Sequence, residues 1–124
     1  MPLTHPGARV GELQTFKAAF FKALAHPVRI RILEELVQGE RSVQEIQSAL
    51  GLDQPVVSQQ LGVLRANNVV VGRKAGVSVR YTLRDPLVAD LLAVARRIFN
   101  NQLSDTRTLL RELQKEDRQR RSRR

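Results

Sequence analysis

The spacing of apolar residues changes abruptly at Asn67-Asn68. Before that pair, apolar residues recur every three or four positions, the signature of one side of a helix. After it they are first continuous and then alternate, the signature of strands. The stretch before the change holds two short helical patterns. Ser42 can cap the first, with Glu45 three residues on as in a capping box, and Val43, Ile46, Ala49 and Leu50 supply its apolar side. Gly51 ends it, and a turn of about four residues (Gly51 to Gln54) leads to the second pattern. There Asp53 can cap and Pro55 fits the first turn. Val57, Leu61 and Leu64 make the inward side of this helix, and Gln54, Ser58, Gln59, Gly62 and Arg65 the outward side. Two short helices joined by so tight a turn predict a helix-turn-helix. Beyond Asn68, Val69-Val70-Val71 is continuous, and Val77, Val79, Tyr81 and Leu83 alternate with polar residues. Gly72-Arg73-Lys74-Ala75-Gly76 between them reads as the basic connection of a β-hairpin. The expected fold is mainly α with a small β-hairpin: a winged helix-turn-helix.

The flanks add two helices on the N-terminal side and one on the C-terminal side. Residues 1–10 hold two Pro and one Gly and read as a flexible lead-in. From Glu12, Leu13, Phe16, Phe20 and Leu24 keep helical spacing until Pro27, which ends that run and suits the first position of the next. Val28, Ile30, Ile32, Leu33, Leu36 and Val37 follow, with Gly39 as a stop. Asp85-Pro86 opens the last helix. Its apolar positions run from Leu87 through Leu91, Val94 and Ile98 to Leu113, about 27 residues or roughly 40 Å. One small domain cannot cover a stripe that long, and such stripes mark interfaces. A homodimer is expected through Leu87, Leu91, Val94 and Ile98, helped by Leu13, Phe16 and Phe20 of the first helix. The alternative is a break near Ser104-Asp105, with the helix folding back. The domain is thus expected over residues 11–114, with 115–124 as a basic disordered tail.

Composition narrows the function. A chain of 124 residues is expected to form one domain. It has no Cys, which excludes disulfides, thiolate metal sites, Cys nucleophiles and thiol redox sensing. Its two histidines, His5 and His26, cannot alone form a multi-histidine metal site. No apolar run approaches the ~18 residues of a membrane span. The N-terminus lacks the basic start and apolar centre of a secretion signal, so a cytoplasmic protein is expected. The net charge of +9 points to a polyanion. Residues 115–124 hold six basic and two acidic side chains, so most of the excess survives without them.

Gln54, Ser58 and Gln59 are the candidates for base edges, since Gln pairs at two points with adenine. Arg65, Arg73, Lys74 and Arg80 are the candidates for phosphates, which position a protein without reading sequence. Arg80 has a second reading as part of a solvated strand face. Arg29 and Arg31 have a structural reading too, paired with Glu34 or Glu35, and His26 reads as a helix cap or packing residue. No catalytic triad pattern and no Gly-rich phosphate loop is present, so an enzyme is not expected.

Three segments carry a family resemblance. They are Ala23-Leu24-Ala25-His26-Pro27-Val28-Arg29-Ile30-Arg31-Ile32-Leu33, Val57-Ser58-Gln59-Gln60-Leu61-Gly62-Val63-Leu64, and Gly72-Arg73-Lys74-Ala75-Gly76-Val77-Ser78-Val79-Arg80-Tyr81. In this order they resemble the ArsR/SmtB family of bacterial transcriptional regulators, over about residues 13–105. The resemblance implies a dimeric winged helix that binds a palindromic operator on double-stranded DNA, usually as a repressor. It places Ser58 and Gln59 where the family's recognition helix contacts bases. Many members release DNA when a metal binds, but this chain departs from that pattern. The Cys-x-Cys stretch is replaced by Val43-Gln44-Glu45. The other metal site keeps Asp85 and has Leu87, Ile98 and Asn101 at its remaining positions. No metal ligand and no cofactor is therefore assigned, and the effector is left open. A nickel or zinc site built around His5 is an alternative, as are a winged helix used as a protein or RNA adaptor and a sequence-neutral architectural DNA binder.

Overall fold

The computed structural model describes residues 10–122; the lead-in before Val10 and the histidine at position 5 lie outside them. The elements in order are α1 (Glu12–Leu24), α2 (Pro27–Val37), β1 (Arg41–Ser42), α3 (Val43–Leu50), α4 (Gln54–Ala66), β2 (Val70–Ala75), β3 (Ser78–Leu83) and α5 (Leu87–Ser122). They fall into two compact units that divide between Val88 and Ala89.

In the first unit the helix boundaries follow local chemistry. His26 caps α2: its Nδ1 accepts from the Val28 N–H at 3.1 Å, and Pro27 takes the first helical position. Ser42 and Glu45 form the full capping box at the start of α3. Gly51 ends α3 in the left-handed conformation (φ 67°), which costs a residue without Cβ nothing. The turn to α4 then needs just Gly51, Leu52 and Asp53. Asp53 occupies the N-cap position, but its side chain makes no capping bond. The core is built from one side of each helix. Ile32 and Leu33 of α2, Ile46 of α3, and Val57, Leu61 and Leu64 of α4 are fully buried, closed below by Val69 and Val70.

The three strands form one antiparallel sheet in the order β1-β3-β2. The sequence reading contains no counterpart of β1, whose two residues pair with β3 as Arg41↔Tyr81 and Ser42↔Arg80. The hairpin also differs from its expected form. Residues 72–75 are strand, not connection, and the turn is reduced to Gly76 and Val77, with Gly76 at φ 65°. Gly72 reads as a loop residue, yet it pairs with Tyr81 across the sheet. A Cβ there would lie 3.0 Å from Tyr81 Cε1 and 3.1 Å from Val79 Cγ1. The glycine therefore makes room for the tyrosine ring inside the ladder. Gly72→Ala should destabilise the fold by about 1–3 kcal/mol through this overpacking, read as a lower denaturation midpoint at unchanged slope.

The second unit is the body of α5, which runs for 36 residues. That is about 54 Å at 1.5 Å per residue. It is continuous through Ser104-Asp105. It also continues through residues 115–122, where the charge run had suggested a disordered tail. Glu, Gln, Lys, Arg and Leu are strong helix formers. Arg120 and Arg121 in the last turn also suit the negative helix end.

Candidate nucleic-acid interface

The outward side of α4 is set by burial of the inward one. Val57, Leu61 and Leu64 are wholly inaccessible, so the remaining positions must face out. Gln54, Gln59 and Arg65 are exposed and Ser58 is half-buried. Gln54 Nε2 donates to Ser58 Oγ at 2.6 Å, joining two candidate base-reading groups in one polar cluster. The amide of Gln59 makes no side-chain hydrogen bond among the described residues. Gln60, one position on, is engaged: its Oε1 accepts from Arg29 Nη1 at 2.9 Å. Arg29 also donates from Nε to the Ala23 carbonyl at 2.7 Å and from Nη2 to the Lys22 carbonyl at 3.4 Å. It thus closes the end of α1 onto α4, with carbonyls and an amide as partners instead of Glu34 or Glu35. Arg31 likewise reaches the Leu50 carbonyl at 3.4 Å.

The wing arginines are tied to a residue that sequence reasoning missed. Glu40, between α2 and β1, accepts from Arg73 Nη2 at 2.6 Å and lies 3.6 Å from Arg80 Nε. Arg80 is also 3.0 Å from Glu45 Oε1, and its Nη2 donates to the Glu40 carbonyl at 3.4 Å. Arg73 and Arg80 are cross-strand partners, so one carboxylate can serve both. Their exposure differs: the Arg73 side chain is 65% accessible and that of Arg80 31%. Arg80 is consumed by the scaffold at the start of α3, whereas Arg73 and the exposed Lys74 stand at the surface. The Glu45 carboxyl is held below the ordinary carboxylate range. The Ser42 backbone N–H is the main cause and the Arg80 charge a further one, against some desolvation. Because the folded value is the lower one, this contribution is present at neutral pH and is lost as acid protonates Glu45.

Of the positions that the family resemblance aligns with a metal site, Leu87 and Ile98 carry no ligand atom, and Asp85 is engaged by the backbone. Asp85 Oδ1 accepts from the Leu87 N–H at 2.9 Å, which makes it the cap of α5. Among the described residues no three His, Cys, Asp or Glu side chains come together. No described helix is long and apolar enough to cross a membrane.

A polar helix presented beyond a three-residue turn, beside a basic hairpin, defines a winged helix-turn-helix DNA-binding protein. Comparison with known proteins agrees. A helix-turn-helix domain family model matches residues 24–73. The chain is 50% identical over 102 residues to the uncharacterised HTH-type transcriptional regulator Rv0081 of Mycobacterium tuberculosis, covering 82% of this chain and 90% of that one. The crystal structure of Rv0081 superposes with a TM-score of 0.72 over 77% of this chain and 97% of that one. The HTH-type transcriptional repressor SmtB of the same species is 38% identical over 99 residues, 71% of this chain and 73% of that one. The homodimeric winged helix-turn-helix domain of Mb0332 from Mycobacterium bovis, titled a possible ArsR-family regulator, is 30% identical with a TM-score of 0.70, over 79% of this chain and 94% of that one. This chain belongs to the ArsR/SmtB family of winged-helix transcriptional regulators.

Proposed function

We propose that the protein is a repressor that binds a two-fold symmetric operator as a homodimer, working in the cytoplasm and without a catalytic step. The observation that carries this reading is the division of α4 into a fully buried apolar side and an accessible side bearing Gln54, Ser58 and Gln59. Each protomer lays that side in a major groove, with half-sites about one helical turn, ~34 Å, apart. Arg65, Arg73 and Lys74 take phosphates. Arg80 is reassigned from phosphate contact to holding α3 and the wing together. Dimerisation uses Leu13, Phe16 and Phe20 of α1 and Leu87, Leu91, Val94 and Ile98 of α5. In the protomer Phe16 is 74% accessible and Leu87 66%, and Phe20 and Leu91 are half-buried.

Selection of bound duplexes from a random pool tests the reading. The expected result is one enriched inverted repeat with the half-site spacing above. A pool with no enrichment overturns it, and capture of an RNA or protein instead would favour the adaptor reading. Repeating the binding with nickel or zinc tests the alternative site around His5.

Glu40 gives a second test. Glu40→Gln removes the carboxylate shared by the wing arginines and frees Arg73. Its cost to folding should stay below about 1 kcal/mol, since the pair is accessible. Binding to random duplex should tighten, and the slope of log K against log salt should steepen by about one unit in a salt titration by fluorescence anisotropy.

A further inference from the structure

The accessible surface of α5 is divided by charge. At 3.6 residues per turn, Arg96, Arg97, Arg107, Arg111, Lys115 and Arg118 fall within about 100° of one another, along roughly 33 Å of helix. All six are exposed, and none forms an ion pair among the described residues. Asp105, Glu112 and Glu116 lie together on a separate strip, and Phe99, Leu103, Leu110 and Leu113 on a third. Leu91 and Ile98 lie on the far side of the helix from the centre of the basic strip, and Val94 lies nearer its Arg97 edge, so dimerisation through them would leave Arg107, Arg111, Lys115 and Arg118 clear of the contact.

We propose that this basic strip is a second, sequence-neutral contact for the phosphates of duplex DNA, separate from α4 and the wing. The inference rests on the DNA-binding reading above. Five of the six side chains are Arg, whose planar fork matches phosphate oxygens at two points. Duplex DNA carries one negative charge per ~1.7 Å of axis, so a strip of this length meets many phosphates along about one helical turn. A bilayer fits the strip poorly. A helix lying in an anionic membrane surface has cations on both edges of its apolar face. Here one edge carries Asp105, Glu112 and Glu116 against the single Arg120, and Asp117 falls within the apolar strip along with Arg121.

The test uses the full chain with Arg107→Gln, Arg111→Gln, Lys115→Gln and Arg118→Gln combined. Binding to a random-sequence duplex and to the selected operator is followed from 50 to 300 mM KCl. Each lost contact should make the log–log slope shallower by about 0.9, so the combined variant should lose two units or more. The affinities for operator and random duplex should fall by the same factor. Replacing Arg107, Arg111 and Arg118 with Lys instead should keep the slope, which a merely structural role for the guanidinium groups would not. An unchanged slope in the glutamine variant, with wild-type helicity and oligomeric state, overturns the proposal. So does an unchanged slope together with lost binding to vesicles containing 30% phosphatidylserine, which would assign the strip to membranes. If the wild-type chain binds no duplex of any sequence, the repressor reading itself fails, and the two failures are thus distinguishable.

Discussion

Ile98→Asp is expected to leave a folded, monomeric protein that no longer holds its operator. Ile98 is 50% accessible in the protomer, on the same side of α5 as Leu91 and Val94, so the carboxylate meets water and not core in the single chain. In a two-fold interface the substitution occurs twice, and each unpaired carboxylate must be stripped of water. A buried unpaired charge costs several kcal/mol. At about 3 kcal/mol the dimer dissociation constant rises more than 100-fold. Sedimentation velocity at micromolar concentration should show the loss of dimer, and far-UV circular dichroism an unchanged helix content. Operator affinity should collapse towards that for random DNA, because one protomer reads one half-site. A variant that stays dimeric with wild-type affinity would remove α5 from the interface.

Gln59→Ala should weaken operator binding by about 1–3 kcal/mol, or roughly five- to 150-fold, and binding to random duplex hardly at all. Two observations single out this residue. It is exposed on the outward side of α4, and its amide is uncommitted among the described residues. Gln60 provides the internal control. Its amide holds Arg29, so Gln60→Ala should lower the denaturation midpoint and reduce both affinities by similar factors. Competition anisotropy at matched salt separates the two cases. Equal losses on operator and random duplex for Gln59→Ala would show that Gln59 reads no base.

Features determined by neighbours along the chain were legible in the sequence. The Ser42–Glu45 capping box, Pro27 at the start of α2, the glycine at the end of α3 and the buried side of α4 all depend on spacings of a few residues. Features determined by distant partners were not. Arg41-Ser42 has no strand pattern of its own and becomes β1 because β3 offers it an edge. Gly72 resembled a loop residue because the Tyr81 ring packed against it is nine positions away. Glu40 carried no signal, since Arg73 and Arg80 lie 33 and 40 residues along the chain. The end of α5 follows a different logic: a run of like charges suggests a solvated tail, whereas the same residue types favour helix, and the helix runs to Ser122. The candidate base-reading residues followed from helical periodicity, but the division of labour between Arg73 and Arg80 needed their shared carboxylate.

The guanidinium of Arg29 has a mechanical consequence. It grips the last carbonyls of α1 with two of its nitrogens and a side chain of α4 with the third. The first of these helices is assigned to subunit pairing and the second to reading the groove. Under the assignment proposed above, Arg29 would couple the pitch of the reading helix to the seating of the neighbouring subunit, and a substitution that loosens that seating should also misalign the probes on DNA.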